Sequence, residues 1–234
     1  MKIAVILPTY NERENIGNLI KIIFDLNIAG LEIIVIDDNS PDGTSAIVNG
    51  LKKDNSNIHL ISREGKLGLG TAYLGGFRYA LERGAEYILG MDADFSHDPK
   101  LIPSFLAQMN QFDLAVGSRY IPKGKIENWN IVRQIISRFG NLYARSILGM
   151  PVHDLTTGYK CYRREVIKYL LNKNIDAIGY VFLTETTYYT LKAGYKVKEI
   201  PIVFTERRSG KSKFSWAIIW ESFCKILKLR FTNK

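Results

Sequence analysis

Two aspartates separated by one small residue, Asp92-Ala93-Asp94, follow a short apolar run, Tyr87-Ile88-Leu89-Gly90-Met91. Alternate side chains of an extended segment share a face, so both carboxylates can point the same way from the carboxyl end of a strand. Hard oxygen donors in that position suit a magnesium or manganese ion that also holds a diphosphate. Taken alone, an Asp-x-Asp reads first as a solvated acidic loop. Two more polar clusters follow apolar runs in the same manner: Thr9-Tyr10-Asn11-Glu12, and Asp37-Asp38-Asn39-Ser40-Pro41-Asp42-Gly43-Thr44.

The elements that must position these clusters alternate. Strands are expected at Ile3 to Leu7 (ended by Pro8), Leu31 to Ile36, Ile58 to Ile61, Tyr87 to Gly90 and Phe112 to Gly117. Helices are expected between them: from a capping box at Asn11 and Glu14 to about Leu26, from Ser45 to Lys53, from the Gly65-Lys66-Leu67-Gly68-Leu69-Gly70 stretch to Arg83, and from Leu101 to Met109. Such alternation predicts a mostly parallel sheet with ligands collected outside the strand carboxyl ends, which brings the three clusters to one rim. The Gly65 to Gly70 stretch lacks the full spacing of a P-loop and reads first as a turn before a helix, with Lys66 within reach of a phosphate.

Further along, a helix from Arg133 to Leu148 offers Ile135, Ile136, Leu142 and Ile147 to the core and ends at Gly149-Met150-Pro151. Thr156 to Arg163 is expected as an edge strand leading to a helix through Leu171. Val181 to Lys192 is expected as a helix, and Val197 to Phe204 as an edge strand interrupted by Pro201. In the tail, Trp216, Ile219, Trp220, Phe223, Ile226 and Leu227 recur at helical spacing beside Lys225 and Lys228. That amphipathic helix suits either an anionic bilayer surface or packing on the sheet or on an anchoring subunit.

Composition narrows the class. Of the 234 residues, 46% are hydrophobic and 24% charged, which excludes a disordered chain. No apolar run approaches the roughly 20 residues of a spanning helix, so a membrane, if involved, is met at its surface. The two cysteines, Cys161 and Cys224, match no metal or redox spacing and point to a reducing compartment. The net charge of +9 is concentrated at the end, where residues 207–234 hold eight basic side chains against Glu221 alone. An anionic partner follows from that charge, but no recognisable nucleic-acid module accompanies it.

In their order and spacing, Pro8-Thr9-Tyr10-Asn11-Glu12, Val35 to Thr44, Met91 to Pro99, Gly117-Ser118-Arg119-Tyr120 and Ser209-Gly210-Lys211-Ser212-Lys213 resemble the inverting family-two nucleotide-sugar glycosyltransferases. Within them the resemblance is to the dolichyl-phosphate (polyprenyl-phosphate) mannosyltransferase catalytic subunits. It implies a glycosyltransferase A-type fold, a Rossmann-like and mostly parallel sheet flanked by helices, over residues 1–213. Residues 214–234 would then form a C-terminal helix that docks on a membrane surface or a partner.

The same resemblance implies roles for single positions. Pro8, Tyr10 and Glu12 match the nucleoside loop, and Ile36 and Asp38 the base and ribose contacts. Asp92 and Asp94 match the metal and diphosphate motif, with Ala93 against the donor. Ser96 stands where many relatives place a glutamine that reaches the metal, and Ser96-His97 looks like the mannosyl branch rather than the glucosyl one. Arg119, Arg133 and Ser137 match acceptor-phosphate contacts, while Arg207 and Lys213 match basic residues that close over the donor.

Other residues keep two readings. Glu185 stands where related enzymes often carry a catalytic carboxylate, and it equally suits capping or ion pairing. His97 reads as packing or capping near Pro99 rather than as a ligand, and Asp154 as a turn residue or an orienter of the acceptor helix. The implied activity is metal-dependent, inverting transfer of mannose from GDP-mannose to a polyprenyl phosphate at the cytoplasmic membrane face. A UDP-hexose donor is the nearest alternative, and a basic nucleic-acid-binding protein the alternative of another class.

Overall fold

Two apolar runs, β1 (Ile3–Thr9) and β2 (Leu31–Asp37), set the centre of the molecule, and nearly every residue in both is buried. Period two divides them. Ala4, Ile6, Ile34 and Ile36 enter one core layer, and Val5, Leu7, Ile33 and Val35 enter the other. Burial on both faces is what a continuous aliphatic strand requires. The computed structural model describes residues 1–173, 175, 179 and 181–206, together with a C-terminal helix at 216–232 whose side chains are described from Phe223 to Phe231.

Strands β3 (Ile58–Ser62), β4 (Tyr87–Gly90), β5 (Leu114–Ser118), β7 (Lys160–Arg163) and β8 (Val197–Pro201) complete a seven-stranded sheet in the order β3-β2-β1-β4-β7-β5-β8. β7 is antiparallel to both neighbours and the remaining pairs are parallel. One face is covered by α1 (Arg13–Phe24), α2 (Thr44–Asp54) and α4 (Ile102–Gln108). The other is covered by α3 (Leu69–Glu82), α5 (Ile131–Leu148), α6 (Arg164–Leu171), α7 (Val181–Lys192) and α8 (Trp216–Thr232). A two-stranded ribbon of β6 (Lys125–Glu127) and β9 (Val203–Thr205) lies apart from the sheet. The chain passes from β1 to β2 on one side and returns to β4 on the other, so the ends of β1 and β4 open a crevice where ligands of such sheets bind.

Four expectations are corrected. Pro8 does not end β1: it pairs with Ile36, and the strand runs on to Thr9. Ile6 bonds through its carbonyl to Met91 on the β4 side, so Pro8 faces that side too, beyond the last paired residue of β4, and its missing N–H costs no ladder bond. Asn11 and Glu14 form no capping box; Asn11 lies at φ 61° and α1 starts after Glu12. β7 is not an edge strand but lies between β4 and β5, because its charges are matched inside the protein: Lys160 donates to Leu183 O and to Thr187 Oγ1, the latter at 2.9 Å. Finally, Ile135 and Leu142 of α5 do not enter the core but are about 60% and 57% exposed. The expected edge position of β8 holds, and after Pro201 the chain leaves the sheet to form β9.

Candidate functional site

The loops after β1 and β2 are sewn into one wall. Asp37 is fully buried and accepts from Thr9 Oγ1 (2.8 Å), Ser40 Oγ (2.6 Å) and Ser45 Oγ (2.7 Å). Asn11 N–H reaches Ser40 Oγ (2.9 Å), and Glu12 N–H reaches Thr44 Oγ1 (3.0 Å). These bonds tie together the loops that carry Tyr10, Glu12 and Asp38, and Pro8 pairs with Ile36 where β1 meets β2. Arg63, at the end of β3, donates to Asp38 Oδ1 (2.7 Å), and Lys66 lies over the Tyr10 ring at 4.8 Å. Neither contact follows from local sequence, since Arg63 is 25 residues from Asp38.

Beyond β4 the carboxylate motif is held by packing as well as by hydrogen bonds. Asp94 Oδ1 accepts from the N–H (3.1 Å) and hydroxyl (2.6 Å) of Ser96, and Phe95 takes φ 62° to make that tight turn. The Ser96 hydroxyl is thus donated to Asp94. Asp92 N–H donates to His97 Nδ1 (3.1 Å), while the His97 ring is buried between Tyr159 (4.9 Å) and Phe204 (5.4 Å). Burial draws this imidazole down to about 4, so it is neutral at neutral pH and Nδ1 can accept. The packing reading of His97 is therefore the observed one. Gly158 lies close beneath the motif: a Cβ there would come to 3.1 Å from both Asp92 Oδ1 and the Tyr73 hydroxyl, so these side chains would have to shift by a few tenths of an ångström.

Among the described residues no group of three or more His, Cys, Asp or Glu side chains could enclose a metal ion. A magnesium-type site needs fewer, since one or two carboxylates suffice when substrate phosphates and water complete the shell. Asp92 and Asp94 are hard oxygen donors beside the crevice and fit that description.

On the other side of the motif, Arg119 at the end of β5 is buried and gripped by Asp154: Nε to Oδ2 at 2.7 Å and Nη2 to Oδ1 at 2.8 Å. Burial works against both charges, yet each offsets the other, so the arginine pKa is raised and the aspartate pKa lowered. Rings of Tyr120, Trp129 and Phe204 surround the guanidinium at 5.2 to 5.7 Å. Asp154 makes the turn contact with Thr156 and, beyond it, fixes Arg119.

Helix α5 starts where the Asn130 side chain accepts from Arg133 N–H (2.8 Å) and stops at Gly149, φ 66°. Ser137 accepts from the Tyr120 hydroxyl (2.6 Å), and Asn141 donates to Thr156 Oγ1 (3.1 Å), which also accepts from Arg119 Nη2 (2.7 Å). Arg133 stacks on Trp129 at 3.8 Å and pairs with Glu206 at 2.9 Å. Arg119, Arg133 and Ser137 are thus linked through Tyr120 and Trp129. The same helix turns Ile131, Val132, Ile135, Phe139 and Leu142 outward, each between 57% and 73% exposed.

Glu185 is buried on α7, a helix that packs on α3, α6 and α8. Arg207 and Lys213 lie outside the described residues. The tail forms α8, where Ile226 and Leu229 are buried in the core layer shared with α5 and α7, and Phe223 stacks on Tyr143 at 4.3 Å. No helix among the described residues is long and apolar enough to cross a membrane.

A mostly parallel, doubly covered sheet with an Asp-x-Asp at the end of β4 defines a glycosyltransferase A-type enzyme. The chain belongs to glycosyl transferase family 2, whose model matches residues 4–171. It is 42% identical over 224 residues to the polyprenol monophosphomannose synthase of Mycolicibacterium smegmatis, covering 95% of this chain and 84% of that one. It is 37% identical over 228 residues to the undecaprenyl-phosphate mannosyltransferase of Micrococcus luteus, covering 97% and 93%. In fold it is similar to glucosyl-3-phosphoglycerate synthase from Mycobacterium tuberculosis, solved with Mn2+, UDP and glucosyl-3-phosphoglycerate (TM-score 0.71, 20% identity, 98% of this chain and 79% of that one).

Proposed function

We propose that this glycosyltransferase transfers mannose from GDP-mannose to a polyprenyl phosphate, with inversion, at the cytoplasmic surface of a membrane. What supports the reading is that Phe204 packs on both His97, which holds Asp92 N–H, and Arg119, which neighbours Tyr120 and Ser137, in a chain related to polyprenyl-phosphate mannosyltransferases. The nucleoside sits against Tyr10, Glu12 and Asp38. Asp92 and Asp94 would hold a magnesium or manganese ion, whose charge offsets that developing on the leaving diphosphate.

The acceptor phosphate is already an anion, so the chain need not supply a strong base. What it supplies is position and charge. Arg119, held by Asp154 through Nε and Nη2, contributes a fixed positive charge; Arg133 brings a second guanidinium; together they counter repulsion between acceptor and donor phosphates. Glu185 is proposed as a supporting carboxylate on α7, and Arg207 and Lys213 as basic residues that close over the donor.

The apolar stripe of α5 adds a route to the lipid. It adjoins Arg133 and Ser137 on the same helix and is flanked by Arg138 and Arg145, a pattern suited to an anionic bilayer surface. α8, through Phe223 and Phe231, continues that surface or meets an anchoring subunit. Replacing Asp94 by Ala tests the site: transfer should fall by at least about 100-fold, as for loss of a charge-stabilising group, with the fold retained. Near wild-type turnover under saturating magnesium or manganese would remove Asp94 from the metal site.

A further inference from the structure

Arg119 and Arg133 each meet a carboxylate, and the two carboxylates differ in exposure. Asp154 is fully buried and holds Arg119 through two bonds. Glu206 Oε1 accepts from Arg133 Nη1 at 2.9 Å, and its side chain is 43% exposed. Arg133 is fixed independently by the Trp129 ring at 3.8 Å, and Trp129 in turn packs edge-on against Phe204. Glu206 follows β9, whose Thr205 N–H bonds to Ser96 O (3.3 Å), so this carboxylate stands between the metal motif and the acceptor helix.

We propose that Glu206 is a resident surrogate for the acceptor phosphate, occupying Arg133 until the phosphate monoester displaces it. The inference rests on the reading of Arg133 as an acceptor-phosphate contact. Both groups are oxyanions that an arginine binds through charge-assisted bonds, and a phosphate monoester carries more charge and more acceptor oxygens than a carboxylate. An exposed ion pair is worth little, so the exchange is easy. Because Trp129 packs on the guanidinium, removing the carboxylate removes a competing anion without loosening Arg133. Glu206 thereby sets the affinity for the acceptor: it weakens binding of any headgroup too weakly charged to compete.

Steady-state kinetics of the full chain with a short polyprenyl phosphate test this, using Glu206→Gln, Arg133→Ala and the double variant. Glu206→Gln should lower the acceptor KM by about two- to five-fold, the worth of an exposed pair, relative to the donor KM as internal reference. In the double variant that gain should vanish, since the residue competed for is gone. Glu206→Ala, which carries no amide to hold Arg133, should show the same fall. An acceptor KM unchanged or raised in Glu206→Gln, with Arg133→Ala raising it, would overturn the exchange and leave the acceptor reading intact. An acceptor KM unaffected by Arg133→Ala would remove that reading, and the surrogate with it.

Discussion

Asp154 takes the Nε and Nη2 edge of Arg119, at 2.7 and 2.8 Å, from 35 residues further along the chain. Its own backbone N–H is held by Glu199 Oε1 at 3.1 Å, so the carboxylate is fixed before it fixes the arginine. Asp154→Ala would leave a buried guanidinium without its counter-charge, at a cost of about 3–5 kcal/mol. Urea denaturation of the variant should show that loss. An unchanged midpoint would mean the pair contributes aim but no stability.

Lys160 gives a second, pH-dependent signal. Burial draws its ammonium from 10.5 down to about 7, with Asp154 pulling the other way. The unfolded chain therefore binds more protons between those values, and stability rises with pH across them. Cys161, ordinarily at 9.0, and Tyr159 and Tyr162 are raised by burial and oppose this at higher pH. The Lys160 contribution is therefore read between about pH 7 and 9. Lys160→Met should flatten the rise, and it leaves Leu183 O still bonded to Thr186 and Thr187 hydroxyls at 3.1 Å. An unchanged slope in the variant would show that Lys160 is not its source.

Lys160 also shows where sequence reading stopped. β1, β2 and the rim loops are legible because an aliphatic run ending in Asp, Asn and Ser carries its own meaning. A strand bearing Lys160 and Arg163 reads as an edge, since the partners that make it internal, Leu183 and Thr187 on α7 and Phe112 and Met109 before β5, are distant in sequence. The Asp-x-Asp and the Arg119, Arg133 and Ser137 positions were legible by resemblance. Trp129, Gly158 and Glu206 were not, because they act through contacts that only the folded chain creates, and Asp154 was legible only as a turn residue or an orienter of the acceptor helix. Periodicity likewise marked α5 as amphipathic without saying which medium covers its apolar face.

That face yields a third expectation. Replacing Ile135 and Phe139, both well exposed on α5, by Asp should weaken sedimentation with anionic liposomes by several-fold while leaving thermal stability close to wild type. Deleting residues 216–234 should lower stability as well, since Ile226 and Leu229 leave the core. Liposome binding unaffected by the α5 substitutions would place the membrane contact elsewhere.

The central claim is the reaction, and the direct measurement is a donor panel. Purified enzyme is given GDP-mannose, UDP-glucose and other nucleotide hexoses, with magnesium or manganese and a short polyprenyl phosphate, and the lipid product is analysed for sugar and anomeric form. Transfer from GDP-mannose to give a β-linked mannosyl phosphate is expected, as inversion of an α-linked donor requires, with no transfer once a chelator removes the divalent ion. Preference for UDP-glucose, an α-linked product, or full activity in the chelator would contradict that claim.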